Sequence, residues 1–191
     1  MKTAVIVVDM VKDNFREGNH PVALDQAKAI IPNINRLTAM ARRNNLPVIF
    51  AGDSFLPGDF IFQGRIKEHA LRGTEGAEVI DELCREAGDI HLPKRRFSAF
   101  FKTDLDQTLR LHGVGGVAIA GINSHWCVLQ TAFDALANDF CAFIISDGCA
   151  SFNADVHETT MNLYRKNPLR PLFQVITVAE YEQILSPQKS S

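Results

Sequence analysis

The sequence predicts an α/β fold, a three-layer α-β-α sandwich around a six-stranded, mostly parallel sheet of Rossmann-like build. Three observations carry this. Six short apolar runs lack the alternation of a half-exposed strand, as strands covered on both faces do. Segments with apolar residues three or four apart stand between most of them. Polar or charged residues close the runs, at the carboxyl ends of the strands, where such sheets bind ligands.

Thr3–Val8 (TAVIVV) is the first strand and stops at Asp9. Met10–Phe15 mixes charge and bulk without a period and reads as a loop. From Val22 to Asn44, the positions Ile30, Ile34, Leu37 and Ala41 define an amphipathic helix. Pro32 either kinks that helix or marks its first turn. Leu46–Ala51 is the second strand, ending at Gly52-Asp53. Ser54–Gly73, interrupted by Pro57, Gly58 and Gly64, reads as a loop, and a loop of that length is usually functional or mobile. Gly73-Thr74-Glu75 reads as a helix start with Thr74 as N-cap, and Ala77–Ala87 carries Val79, Ile80 and Leu83 on one face.

Asp89–Leu92 is the third strand, followed by Pro93-Lys94-Arg95-Arg96. Thr103 and Asp106 resemble a capping box that starts the helix Asp104–His112. Val114–Ala120 is the fourth strand. After the turn Gly121–Ser124 a helix begins near Ser124–Trp126, with Val128, Ala132, Ala135 and Leu136 at helical spacing. Cys141–Ser146 is the fifth strand, Asp155–Arg165 a helix, Gln174–Thr177 the sixth strand and Val178–Leu185 the last helix. Residues 1–185 read as one domain and 186–191 as a flexible tail.

At 191 residues the chain suits one domain of ordinary size. A net charge of −2 without a long basic run argues against nucleic acid or an anionic membrane as partner. No signal peptide and no apolar run of membrane-spanning length is read. Four cysteines without paired spacing fit a reducing compartment, so a cytoplasmic location is expected. CxxC and HExxH are absent, so no local metal motif stands out. No glycine-rich phosphate loop follows the first strand, so the two commonest cofactor uses of this architecture lose weight.

Cys127 falls at a helix start beyond the fourth strand, where unpaired N–H groups and the positive helix end converge. That setting lowers a thiol's pKa, and the thiolate is the nucleophile. A small buried residue filling a gap is an equal alternative. Asp9 and Lys94 close the first and third strands. If those strands lie near the fourth, the carboxylate accepts the thiol's proton and the ammonium favours the charged forms. Backbone N–H groups of Asn123–Cys127 then hold the oxyanion of a tetrahedral intermediate. Local capping for Asp9, and a solvated basic patch with Arg95 and Arg96 for Lys94, are the bland alternatives. Joint placement at one sheet edge favours the chemistry. Cys84, Cys141 and Cys149 read as packing residues.

Four motifs stand in order: VIVVDMVKDNF at Val5–Phe15, HALRGTEGAEV at His69–Val79, PKRRFSAFFKTDLD at Pro93–Asp106 and GINSHWCVLQTAFDA at Gly121–Ala135. Through them the chain resembles the isochorismatase-like cysteine hydrolase superfamily, which includes nicotinamidases and N-carbamoylsarcosine amidases. The resemblance implies a catalytic Asp–Lys–Cys set at Asp9, Lys94 and Cys127. It implies a non-proline cis peptide at Ile122–Asn123 beside the oxyanion site, pocket aromatics at Phe15, Phe101 and Trp126, and a homo-oligomer, dimer or tetramer. Nicotinamidases hold a divalent metal at positions matching Asp53 and His69, but Phe55 replaces the histidine expected two residues after the aspartate. One carboxylate and one imidazole make a poor site, so no cofactor is expected, with a divalent ion such as zinc as the alternative. The expected function is a cysteine-dependent amidohydrolase that cleaves the C–N bond of a small amide or carbamoyl compound through a thioester. Vinyl-ether hydrolysis of an isochorismate-like substrate with Asp9 as acid is one alternative, which the presence of Cys127 disfavours. A non-catalytic binding module on the same fold is the other.

Overall fold

The computed structural model describes residues 1–17 and 22–185; the expected tail, residues 186–191, lies outside them. Six strands form one sheet: β1 (Thr3–Val8), β2 (Val48–Asp53), β3 (Ile90–Lys94), β4 (Gly116–Ile122), β5 (Cys141–Ala150) and β6 (Phe173–Ile176). Their order is β3-β2-β1-β4-β5-β6, and every neighbouring pair is parallel. The sheet is thus wholly parallel.

Alternate residues of each strand feed different cores, which is why the apolar runs show no period of two. Ala4, Ile6 and Val8 pack in a core with residues of α3 (Leu105–Leu111), α4 (Leu129–Ala137) and α5 (Ala154–Arg165). Val5 and Val7 join the opposite core with α1 (Leu24–Ala29), α2 (Ile31–Arg43) and α6 (Val178–Leu185). From β1 the chain builds outward to β2 and β3, then returns to place β4 on the other side of β1. The reversal between β1 and β4 is where a parallel sheet opens a crevice for ligands.

Three local expectations change. The Val22–Asn44 helix divides at Ile30 into α1 and α2, with Pro32 in the first turn of α2, where its missing N–H costs no hydrogen bond. The helix expected over Ala77–Ala87 is not formed. A 3-10 turn spans Glu75–Ala77, and the following backbone is taken by other partners: Lys12 N–H donates to Glu78 O, Ile80 N–H to Met10 O and Cys84 N–H to Asn35 Oδ1. Val79, Ile80 and Leu83 still reach the core from this extended path. The capping box is also not made, because Thr103 Oγ1 donates to Ala99 O while Asp106 pairs with Arg110. No helix among the described residues is long and apolar enough to cross a membrane.

Candidate active site

Asp9 follows β1 with φ +56, in the left-handed region that aspartate tolerates better than most residues. Two bonds hold it there: its N–H donates to Ala51 O at 2.9 Å, and Asn14 Nδ2 donates to its carbonyl at 2.9 Å. Its side chain is fully buried. Oδ1 accepts from the Asp53 backbone N–H at 2.9 Å, and Oδ2 lies 2.8 Å from Lys94 Nζ. Lys94 ends β3 opposite Asp53 on β2, so its long side chain crosses the end of β2 to reach Asp9. On the way it pairs with Asp53 Oδ1 at 2.6 Å and donates to Arg96 O at 3.1 Å.

Cys127 approaches from the other side of β1. β4 runs beside β1 with Gly121 opposite Val8. That register demands glycine: Gly121 has φ +118, and a Cβ there would overlap the Val8 backbone. The Ile122–Asn123 peptide is cis, as the resemblance implies. The helix then opens at Ser124, as expected, but as a π turn over Ser124–Val128, in which Val128 N–H reaches back to Asn123 O at 3.2 Å. The turn brings the Cys127 thiol, only 4% exposed, beside the Asp9 carboxylate, close enough for each to act on the other's charge. Sheet order thereby gathers Asp9, Lys94, Cys127 and Asp53 from four different strand ends.

The electrostatics differ from the helix-terminus expectation. Burial, and then the charge of Asp53, raise the Asp9 pKa to about 7, against the lowering effect of Lys94. Burial, and then the Asp9 charge, push the Cys127 thiol well above its ordinary value. Burial works against the Lys94 ammonium, yet Asp53 and Asp9 outweigh it and hold its pKa above the usual lysine value. One ammonium and two carboxylates already carry net charge −1, so a thiolate would add a second buried negative charge. At rest the proton therefore stays on sulfur.

The residues at the candidate metal positions do not fit a metal. Asp53, expected as a ligand, is instead the ion-pair partner of Lys94. The His69 ring stands edge-on to Phe55 and Phe62, with Nδ1 2.9 Å from Lys67 O. Phe55, completely buried, fills the place of the missing third donor. Among the described residues, no three His, Cys, Asp or Glu side chains cluster as a metal site would need.

The expected pocket aromatics divide. Trp126 is half-buried beside the thiol in sequence, stacked on Phe97 with ring centres 5.5 Å apart and met edge-on by Phe152 at 4.7 Å. Phe101 opens onto a cleft of about 700 Å³ that it lines with Phe60, Ile61, Phe97 and Arg96. Phe15 is half-buried against the core of the α1, α2 and α6 side. The basic run is not simply solvated: Arg95 donates to Asp59 Oδ2 at 3.0 Å and holds the Asp59 pKa down at about 2. Of the other cysteines, Cys149 is buried and Cys141 half-buried, but Cys84, expected in packing, is exposed.

Two features of the site escaped the sequence reading. One is the role of Asp53, whose place at a strand end was visible while the Lys94 side chain crossing it was not. The other is a pair of serine–histidine contacts at the nucleophile turn: Ser124 Oγ lies 2.7 Å from His157 Nδ1, and Ser151 Oγ 2.6 Å from His125 Nδ1. No sequence spacing signals contacts across more than twenty residues.

Several known proteins are similar to this chain. A probable inactive nicotinamidase of Arabidopsis thaliana is 34% identical over 81% of this chain and 84% of its own. An isochorismatase-like hydrolase from Alkaliphilus metalliredigens superposes with a TM-score of 0.85 at 31% identity, covering 97% of this chain and all of that one. The N-carbamoylsarcosine amidase of Thermoplasma acidophilum gives 0.78 at 31% identity over 93% and 97% of the two chains. With the Isochorismatase domain model matching residues 3–180, the chain belongs to the isochorismatase family of hydrolases.

Proposed function

We propose that this protein is an amidohydrolase that cleaves the C–N bond of a small amide or carbamoyl compound through a Cys127 thioester. The observation that carries the reading is the buried Asp9 carboxylate, paired with the Lys94 ammonium at 2.8 Å and close enough to the Cys127 thiol to interact with it. Cys127 Sγ attacks the substrate carbonyl carbon as its proton passes to Asp9, whose pKa near neutrality suits a general base. Backbone N–H groups of the Asn123–Cys127 turn receive the oxyanion. Asp9 returns the proton to the departing nitrogen, the C–N bond breaks and the thioester remains. Water then attacks the thioester carbon and gives a proton to Asp9. The C–S bond breaks, the acid leaves, and the proton returns to sulfur. Lys94 keeps Asp9 ionised enough to act and holds it in place. No metal enters these steps.

The named amidase among the similar structures supports an amide as the substrate class. The resemblance also favours a homo-oligomer, which sedimentation of the purified protein at micromolar concentration reads, and the unpaired cysteines favour a reducing, cytoplasmic setting. The decisive experiment is a panel of small primary amides and N-carbamoyl compounds, followed by ammonia release. Wild-type protein should turn over at least one, and Cys127→Ala should lower kcat by about a thousandfold or more. Full activity in Cys127→Ala sinks the reading. Hydrolysis of an isochorismate-like vinyl ether that survives Cys127→Ala but not Asp9→Asn assigns vinyl-ether hydrolysis instead. Inactivity of wild type toward the whole panel, with substrate analogues still bound, assigns a binding module.

A further inference from the structure

The nucleophile turn has a second attachment, away from Asp9 and Lys94. Ser124 is the first residue of that turn and is completely buried. Its hydroxyl donates to Ala150 O, at the end of β5, at 2.9 Å. A serine hydroxyl has one proton, and here that proton is spent on Ala150. The His157 Nδ1 that lies 2.7 Å from the same oxygen must then be the donor, Nδ1–H to Ser124 Oγ. His157 projects from α5. Around it stand Glu158, 4.0 Å from Nε2, Arg165 of the same helix and Asp147 of β5, all lining one cleft of about 440 Å³.

We propose that His157 is a positioning residue for the nucleophile. Its Nδ1–H, through Ser124 Oγ, fixes the start of the π turn to α5 and β5 and so sets where the Cys127 sulfur meets Asp9. His157 touches neither sulfur nor carboxylate, and its effect passes through Ser124 alone. The Cys127 contact with Asp9 is made three residues further on. A turn freed at Ser124 shifts the sulfur by fractions of an ångström, which proton transfer does not tolerate. The inference rests on the amidohydrolase reading for its kinetic test but not for its chemical one.

The test uses His157→Asn, His157→Leu and Ser124→Ala. Asparagine places an N–H donor close to where Nδ1 stands, whereas leucine keeps bulk without a donor. His157→Leu and Ser124→Ala should lower kcat about tenfold with KM within about twofold, and His157→Asn should restore most of the loss. In parallel, alkylation of Cys127 by iodoacetamide, followed by peptide mass spectrometry, needs no substrate. It should speed up about threefold or more in His157→Leu as the covered thiol is released, and stay near wild type in His157→Asn. Equal kcat in folded His157→Leu and wild type, or equal losses in the asparagine and leucine variants, overturns the proposal. If wild type hydrolyses nothing, the amidohydrolase reading fails by itself, and unchanged alkylation across the series overturns this one.

Discussion

At the residue scale, the site is a problem in charge arithmetic. Lys94 lies between two buried carboxylates, and the net negative charge falls beside a thiol that burial already keeps neutral. The base in waiting is therefore Asp9, and kcat/KM should rise with pH as Asp9 ionises, with an acid limb near pH 7. Asp53 is the second cause of the raised Asp9 pKa, so Asp53→Asn removes a charge that opposes Asp9 ionisation. The acid limb of kcat/KM in Asp53→Asn should move below that of wild type. A limb that stays put, or moves up, contradicts the assignment of Asp9 as base. Asp9, Lys94 and Cys127 were legible in sequence because each closes an apolar run. The sign of the Cys127 shift was not, because a helix start speaks for the thiolate while burial and a neighbouring carboxylate, invisible in sequence, speak more strongly against it. Slow alkylation of Cys127 at neutral pH is accordingly no mark of an inert protein.

At the element scale, the connection from β2 to β3 does the work that a crossover helix does elsewhere in this sheet, with only 3-10 turns inside residues 54–89 among the described residues. Its apolar residues Val79, Ile80 and Leu83 fit a helical face as well as they fit the extended path they take. Periodicity over so few positions cannot separate the two. What decides is the segment after β1, whose backbone pairs with Glu78 and Ile80, and whose Asp13 Oδ2 accepts the Ala70 N–H at 2.8 Å. Gly76 permits this, since a Cβ there would overlap the Asp13 carboxylate. Gly76→Ala should push Asp13 away, leave the Ala70 N–H buried without its acceptor and cost about 2 kcal/mol. Urea unfolding measures the loss, and limited proteolysis should cut first within 54–89. An unchanged midpoint and cleavage pattern would mean that Asp13 does not hold this connection.

At the scale of the whole molecule, sheet order is what turns three distant residues into a site. β1 and β4 are neighbours and bring Asp9 to Cys127, but β3 is two strands from β1, so the third residue, Lys94, joins them only because its side chain is long enough to cross β2. The strands and their parallel pairing could be read from the sequence. Their lateral order could not, because nothing in the apolar runs says which strand lies beside which. It follows that Lys94 joins β1, β2 and β3 electrostatically, and its loss should be felt in global unfolding. Lys94→Met keeps the stem but leaves Asp9 and Asp53 buried without a counter-charge, which costs about 3–5 kcal/mol when both are ionised. Without the ammonium, which lowers the Asp9 pKa, that pKa rises further above its unfolded value. A carboxylate whose pKa is raised on folding keeps the folded state stable below the unfolded pKa and costs stability as pH climbs through the folded one. The deficit of Lys94→Met relative to wild type should therefore be small near pH 4 and grow through pH 7 and above, as read by denaturant unfolding across that range. A deficit independent of pH would mean that Lys94 contributes packing alone, and the ion pairs that organise the site would count for nothing in holding the sheet edge together.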